Sequence, residues 1–481
     1  MKRDDISDAF NSLDNDIIEE TNKVRQNPKG RSSFFRRYHT LAACLTFTLV
    51  LGCVMGIAWM DSSPTESSSS DGGSGNDIGN ESFGLAGDLA SDTPTDESLE
   101  FAIPEVLASN ENFRSSQMNF ALTLFQHSAS KSQYDNVLIS PLSMMHALSM
   151  TANGASGETK DEMLAVLAES LTQEELNEAL CAYTEHLSST GNLQLANSIW
   201  IREDENLSIN EDFLDINQTY FDARIFTEPF HDQTADAINK WITTNTNNRI
   251  TKIVDNIDSD TVMYLINALA FDAEWEDVYT TDNIVDGSFY SSTGNSTGQK
   301  TEMMHSTEHF YLSSENAVGF IKNYKDGTYR FAALLPNEGI SLSNYIESLT
   351  TESITDMLQN AEKTSVTVAI PKFSYEYKLD MNSVLKEMGI NKGFDSTQSD
   401  FSNLGTFQNG NLYLGKVLHK TFIAVDEKGT AAGAVTSVDI KAECALETSK
   451  EVILNRPFVY MILDGETNLP VFIGTLTQIP K

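Results

Sequence analysis

Glu427-Lys428-Gly429-Thr430-Ala431-Ala432-Gly433-Ala434-Val435-Thr436-Ser437-Val438-Asp439-Ile440-Lys441 is the stretch on which the fold turns. Taking every second residue from Thr430 gives Thr, Ala, Ala, Thr, Val and Ile, a set small or apolar enough to face a core. The interleaved set gives Ala, Gly, Val, Ser, Asp and Lys, which turns polar toward its end and suits water. Alternation of period two is the pattern of a strand. The Ala/Gly run, however, has little side chain to pack and much backbone entropy to lose, which suits a mobile loop. Taken alone, the stretch reads equally well as a flexible edge strand.

Outward from it, helix and strand patterns alternate from about residue 113 to 481 with no internal repeat and no second linker. Met118, Ala121, Leu122 and Phe125 follow a helical stripe. Ser140 before Pro141 is a cap followed by a first-turn proline, and the helix they open can end at Gly154. Thr159 and Glu162 have the capping-box spacing for the next helix. Val366, Val368 and Ile370 alternate with Thr367 and Ala369 as a strand, and 412–425 contains another. This mixture predicts one large α+β domain.

The 481 residues carry 32 Lys+Arg against 69 Asp+Glu, a formal net charge of -37. A nucleic-acid site needs a dense basic footprint, so nucleic acid is excluded as a partner. With 40% hydrophobic and 9% aromatic residues the chain can build a large core. Four cysteines are too few for a disulfide scaffold. From Leu41 to Met60 the 20 residues LAACLTFTLVLGCVMGIAWM contain no charge, enough to span a bilayer core of about 30 Å. Lys29, Arg31, Arg36 and Arg37 precede this run, whereas 38–113 has no Lys or Arg, so the positive-inside rule puts the N-terminus in the cytoplasm. A cleaved signal peptide, or lipidation at Cys53, is the competing reading. The expected organisation is a cytoplasmic tail over 1–37, a single-pass transmembrane anchor over 38–60, a stalk over 61–112 and an extracellular body over 113–481. The tail carries a short amphipathic helix pattern at Ile6, Phe10, Leu13 and Ile17. The stalk is rich in Ser and Gly with twelve acidic residues and no basic one, a composition that stays extended.

No constellation for catalysis stands out. There is no G-x-S-x-G elbow, no phosphate-binding glycine-lysine loop and no H-E-x-x-H. His305 and His309 could share a helix face as metal ligands, but no third ligand accompanies them. Cys444 has no His or Asn at a recognisable spacing. No metal and no cofactor are expected.

The body resembles the serpin family along about 370 residues. Asn136-Val-Leu-Ile-Ser140-Pro141-Leu-Ser143 is similar to the family's N-V-x-x-S-P-x-S segment, and 154–159 to the turn after it. Leu265-Ile-Asn267-Ala268 through Phe271 and Trp275 is similar to the V-N-A-x-x-F-x-x-x-W strand. Lys300-Thr-Glu-Met-Met304, Ile370-Pro-Lys-Phe373, Asp400-Phe-Ser402 and Asn455-Arg-Pro-Phe458 also match, in order. Val417-Leu-His419-Lys420 through Glu427-Lys-Gly429-Thr430 resembles the strand and hinge that lead into the family's reactive-centre loop. The resemblance implies three β-sheets, eight to nine helices and an exposed loop. It also implies an inhibitor of serine proteases, not an enzyme. The target protease attacks the loop and forms an acyl-enzyme, and the cut loop then enters the central sheet and distorts the trapped protease in a covalent 1:1 complex. On this resemblance Glu427, Gly429, Thr430, Ala431, Ala432, Gly433 and Ala434 are the hinge. Ser140, Ser143, Asn267 and His419 are the shutter residues beneath the sheet where it opens.

Counting from the hinge puts the scissile bond after Glu443; counting back from 455–458 puts it nearer Leu446. The candidates are therefore Glu443, Cys444, Ala445 and Leu446. None is basic, which favours elastase-like or subtilisin-like targets over trypsin-like ones. Glu174, Glu175 and Glu178 make acidic the stretch where a heparin-type cofactor would need a basic helix. The expected whole is a monomeric inhibitor on the plasma membrane of a bacterium. A non-inhibitory serpin acting as a binding module is the alternative, and a hydrolase a distant third.

Overall fold

The computed structural model describes residues 110–480 except 133–134, 169, 292–297 and 431–449. Among the described residues no helix is long and apolar enough to cross a membrane. The tail, the anchor and the stalk as far as residue 109 lie outside the described residues; 110–112, read as the end of the stalk, instead belong to the body, because Asn110 caps the first helix and Glu111 opens it.

Nine α-helices and four hydrogen-bonded groups of strands make up the described body. The helices are α1 (Glu111–Lys131), α2 (Pro141–Ala152), α3 (Gly157–Ala168), α4 (Gln173–Ser188), α5 (Glu211–Phe221), α6 (Asp232–Asn245), α7 (Leu342–Ser348), α8 (Thr351–Gln359) and α9 (Asn382–Met388). Met118, Ala121, Leu122 and Phe125 are buried on α1, as their spacing predicts. Ser140 caps α2, its Oγ accepting the Ser143 amide at 3.2 Å with Pro141 in the first turn. The capping box expected at Thr159 is not one. α3 begins two residues earlier at Gly157, whose φ of +48° suits glycine. Thr159 Oγ1 instead accepts the Asp400 amide, and Glu162 accepts the amides of Asn391 and Lys392. On α4, Glu174, Glu175 and Glu178 are exposed while Leu176, Ala179 and Leu180 are buried, so the acidic stretch is a solvated face.

A nine-stranded sheet runs β1 (Val137–Ile139), β18 (Pro470–Leu476), β17 (Phe458–Asp464), β10 (Tyr329–Pro336), β9 (Ala317–Asn323), β8 (Gln299–Ser313), β11 (Glu362–Pro371) and β16 (Lys450–Ile453), with β7 (Ile284–Phe289) also on β8. His305 and His309 lie on β8 and not on a helix. Four strand residues separate them by about 13 Å, too far to share a metal ion. β3 (Leu207–Ile209) pairs with β13 (Gly405–Phe407).

The remaining strands are what matter for function. β4 (Arg224–Glu228), β2 (Leu193–Arg202) and β5 (Met263–Phe271) form one block, and β12 (Phe373–Asp380) with β14 (Leu418–Val425) another. Between them stand two short strands, β15 (Gly429–Thr430) and β6 (Ala273–Glu274). β6 continues β5 after Asp272, so the two blocks are halves of one sheet joined only at that end. β14 pairs with β12 along its whole length, from Asp380↔Leu418 to Phe373↔Val425. On its other edge the described pairing is Val425↔Thr430 alone. Below that point a cleft separates β14 from β5, lined by Asn267, Ala268 and Leu269 on one side and Lys420 and Thr421 on the other. Ser140 and Ser143 of α2 line it too, with Ile242 of α6 and Ile250 and Ile253 just beyond that helix. α6 is held by a small apolar cluster of its own, Ile238 and Ile242 packing with Trp200, Ile250, Val254 and Ile266.

Candidate functional site

The candidate hinge is a tight turn fixed from three sides. β14 ends at Val425, and Asp426 Oδ1 accepts the amides of Lys428 at 2.9 Å and Gly429 at 3.3 Å. A short polar side chain that bonds the backbone two residues on is the usual reason for Asp in such a turn. From the β6 side, Trp275 donates its indole N–H to Asp426 O at 2.9 Å and its amide to Lys428 O at 2.8 Å. The Tyr279 amide donates to Glu427 O at 2.9 Å. From the third side Lys372 Nζ sits 2.9 Å from both Glu427 and Glu302. Its hydrogen bond holds the Glu427 carboxyl below the usual range. These side chains are partly exposed, so the pair contributes at most about 1 kcal/mol.

The chain then turns back antiparallel. Gly429 and Thr430 pair with Glu274 and Ala273, and Thr430 with Val425, so these two candidate hinge residues already form a strand between the two halves of the sheet. Gly429 is required by a close approach and not by its φ. A Cβ there would stand 2.0 Å from the Ala273 carbonyl oxygen. Thr430 is 2% exposed, with its hydroxyl 2.5 Å from that of Tyr324. Tyr324 stacks on Trp275 with centroids 4.4 Å apart, and burial pushes its phenol far above the ordinary value. Gly429→Ala is therefore expected to expel β15 from between β14 and β6. Limited proteolysis should show faster cutting around 427–431, and Gly415→Ala, where nothing lies within 4 Å, should leave the pattern unchanged.

Beside the cleft residues Lys420 and Thr421, the buried His419 Nε2 accepts the backbone N–H of Ser140 at 3.0 Å. That ring nitrogen must be unprotonated, and burial lowers the His419 pKa to about 4. Ser140 Oγ is turned to the Ser143 amide, so no serine–histidine nucleophile pair exists here. Thr421 Oγ1 donates to Leu138 O at 2.7 Å, tying β14 to the segment before α2. Three of the four shutter candidates, Ser140, Ser143 and His419, thus form one hydrogen-bonded group. Asn267 lines the same cleft, but its amide donates to Asn197 Oδ1 at 2.8 Å on its own half of the sheet, and Asn197 donates to Phe221 O. The split sheet therefore has a separate polar group on each side.

Ala431, Ala432, Gly433, Ala434, Glu443, Cys444, Ala445 and Leu446 lie outside the described residues. Sequence reasoning missed Trp275, Tyr279 and Tyr324 as hinge holders, and Lys372 and Asn197. An aromatic in a strand pattern reads as core, and nothing in spacing shows that its N–H or O–H faces a turn 150 residues away.

The family profile described as Serpin (serine protease inhibitor) matches residues 115–479. "Alpha-1-antiproteinase 2" of Equus caballus is 29% identical over 371 residues, covering 75% of this chain and 85% of that protein. The thermophilic serpin Tengpin in its native state superposes with a TM-score of 0.73 at 45% identity, covering 77% of this chain and 95% of that one. Tengpin in its latent state gives 0.69 at the same identity, covering 77% and 98%. The split sheet, the hinge started between its halves and these likenesses agree: the chain belongs to the serpin family.

Proposed function

We propose that this serpin is a suicide substrate of serine proteases, elastase-like or subtilisin-like, acting at a cell surface from the membrane anchor at 41–60. One observation carries the inhibitory part: Gly429–Thr430 already occupies the first positions of a new strand between β6 and β14, above a cleft that runs down between β5 and β14. The protease serine attacks a carbonyl in the 443–446 window, the peptide bond breaks, and the amine of the downstream piece leaves. An ester joins the upstream piece to the enzyme. The freed piece continues the strand that β15 begins. About 14 residues at 3.3 Å make a strand of roughly 46 Å. Their hydrogen bonds at roughly 1 kcal/mol each contribute on the order of 10 to 15 kcal/mol before apolar burial. A protease is itself stable by only about 5 to 15 kcal/mol, so insertion can distort the site that would hydrolyse the ester. A relative solved in both a native and a latent state accords with a body that has more than one folded arrangement.

Mixing the protein with elastase and with subtilisin is expected to give a denaturant-resistant 1:1 adduct and to release a small C-terminal peptide. Mass spectrometry of that peptide locates the cut. Cleavage by every protease tried, with no adduct and no gain in thermal stability, would overturn the inhibitory reading.

A further inference from the structure

Beneath the hinge lies a buried charge pair that the site as described above does not use. Lys322 on β9 is 2% exposed and Glu308 on β8 is 8% exposed, and they meet at 2.9 Å. Glu308 Oε1 also accepts from Ser306 Oγ at 2.6 Å, and that hydroxyl stands 3.1 Å from the Tyr279 hydroxyl. The ammonium faces two rings, with Nζ 4.7 Å from the centroid of Tyr279 and 5.5 Å from that of Trp275. Tyr279 and Trp275 are the residues whose backbone and indole N–H groups hold 426–428.

We infer that Glu308 and Lys322 are positioning residues for loop insertion, fixing through Trp275 and Tyr279 the side of the cleft against which the new strand starts. The inference rests on the inhibitory reading for its biological meaning. Its physical case is independent. Burying two charges costs about as much as their attraction returns, so a well-packed apolar pair would hold β8 and β9 together at least as well. What the apolar pair would lack is orientation: a cation attracts ring faces, and the carboxylate pins the cation. A strand can add between β14 and β6 only if one of these edges stays in place while the other yields. The pair seats the β6 side, and β14 is left to yield.

The test uses the full chain with Glu308→Gln, Lys322→Met and the double variant carrying both. Hydrogen exchange read by mass spectrometry is expected to be about tenfold faster over 273–279 and 426–430 in all three, with other segments unchanged. The single variants should melt lower, because each strands a buried polar group, whereas the double should melt close to the parent. A merely structural pair would let the double regain hinge protection together with stability. Parental exchange at the hinge in the double variant therefore overturns the inference. With an elastase-like protease, the fraction of encounters ending in adduct should fall severalfold in all three. A parent that forms no adduct sinks the inhibitory reading, while hinge exchange still decides the role of the pair.

Discussion

Thr430→Arg is expected to turn an inhibitor into a substrate. The native side chain is fully enclosed, paired to Tyr324, and lies at the first inward position of the strand that insertion extends. An arginine there would have to lose water without gaining a partner, at a cost of several kcal/mol. Every 1.4 kcal/mol slows the insertion step about tenfold relative to hydrolysis of the acyl-enzyme, so a penalty of about 3 kcal/mol changes the outcome more than a hundredfold. The protease should cut the loop as fast as before, because attack precedes insertion, but the adduct should vanish from denaturing gels and the enzyme should recover full activity. Thr430→Ser keeps a small hydroxyl and should inhibit as the parent does. Equal adduct yields from parent and Thr430→Arg would show that 430 does not enter the sheet.

The same residue shows what the sequence makes legible and where it stops. Period-two alternation from Thr430 marks a strand, and the small side chains mark one that can move; the structure buries Thr430 on β15, and the rest of the alternating set lies outside the described residues. The buried stripe of α1, the Ser140 cap and the β11 strand follow from local rules for the same reason, since burial and capping act on neighbours in sequence. The split between β14 and β5 was available only through family resemblance. Both strands have ordinary patterns, and the residues that line the space between them come from segments far apart in sequence, α2, α6, β5 and β14 among them. The Thr159 spacing failed because the Gly157 turn begins the helix earlier, and the His305/His309 spacing failed because a period of four suits a strand as well as a helix. Of the four shutter candidates, Ser140, Ser143 and His419 are linked to one another by hydrogen bonds. Asn267 bonds across β5 to β2 instead, because the antiparallel register puts Asn197 directly opposite it.

Mild acid is expected to weaken the body in part through the shutter candidate His419. His419 has a folded pKa of about 4 against 6.5 for the free side chain, and burial alone is the cause. Above pH 6.5 both folded and unfolded states are neutral at this site and its contribution to stability is complete. Between pH 6.5 and 4 the unfolded chain takes a proton that the folded chain refuses, so stability falls as pH falls, by about 1.4 kcal/mol per unit and on the order of 3 kcal/mol in all. His146, bonded to Thr184 at 2.9 Å and lowered by burial to about 3, adds a loss of the same sign over a slightly wider window. Asp255, held at about 2 by Lys378 and Lys252, titrates below this range, whereas His186, raised chiefly by its hydrogen bond to Asp464, contributes with the opposite sign. Once protonated, His419 Nε2 can no longer accept the Ser140 N–H, and the hydrogen bond between α2 and β14 is lost. Urea unfolding at pH 7.5 and 4.5 should show the parent losing several kcal/mol. His419→Gln, whose amide oxygen can still accept that N–H, should lose about 2 to 3 kcal/mol less over the same interval. An identical pH dependence in the two proteins would mean that His419 is not the neutral acceptor that joins the moving half of the sheet to the helix beneath it.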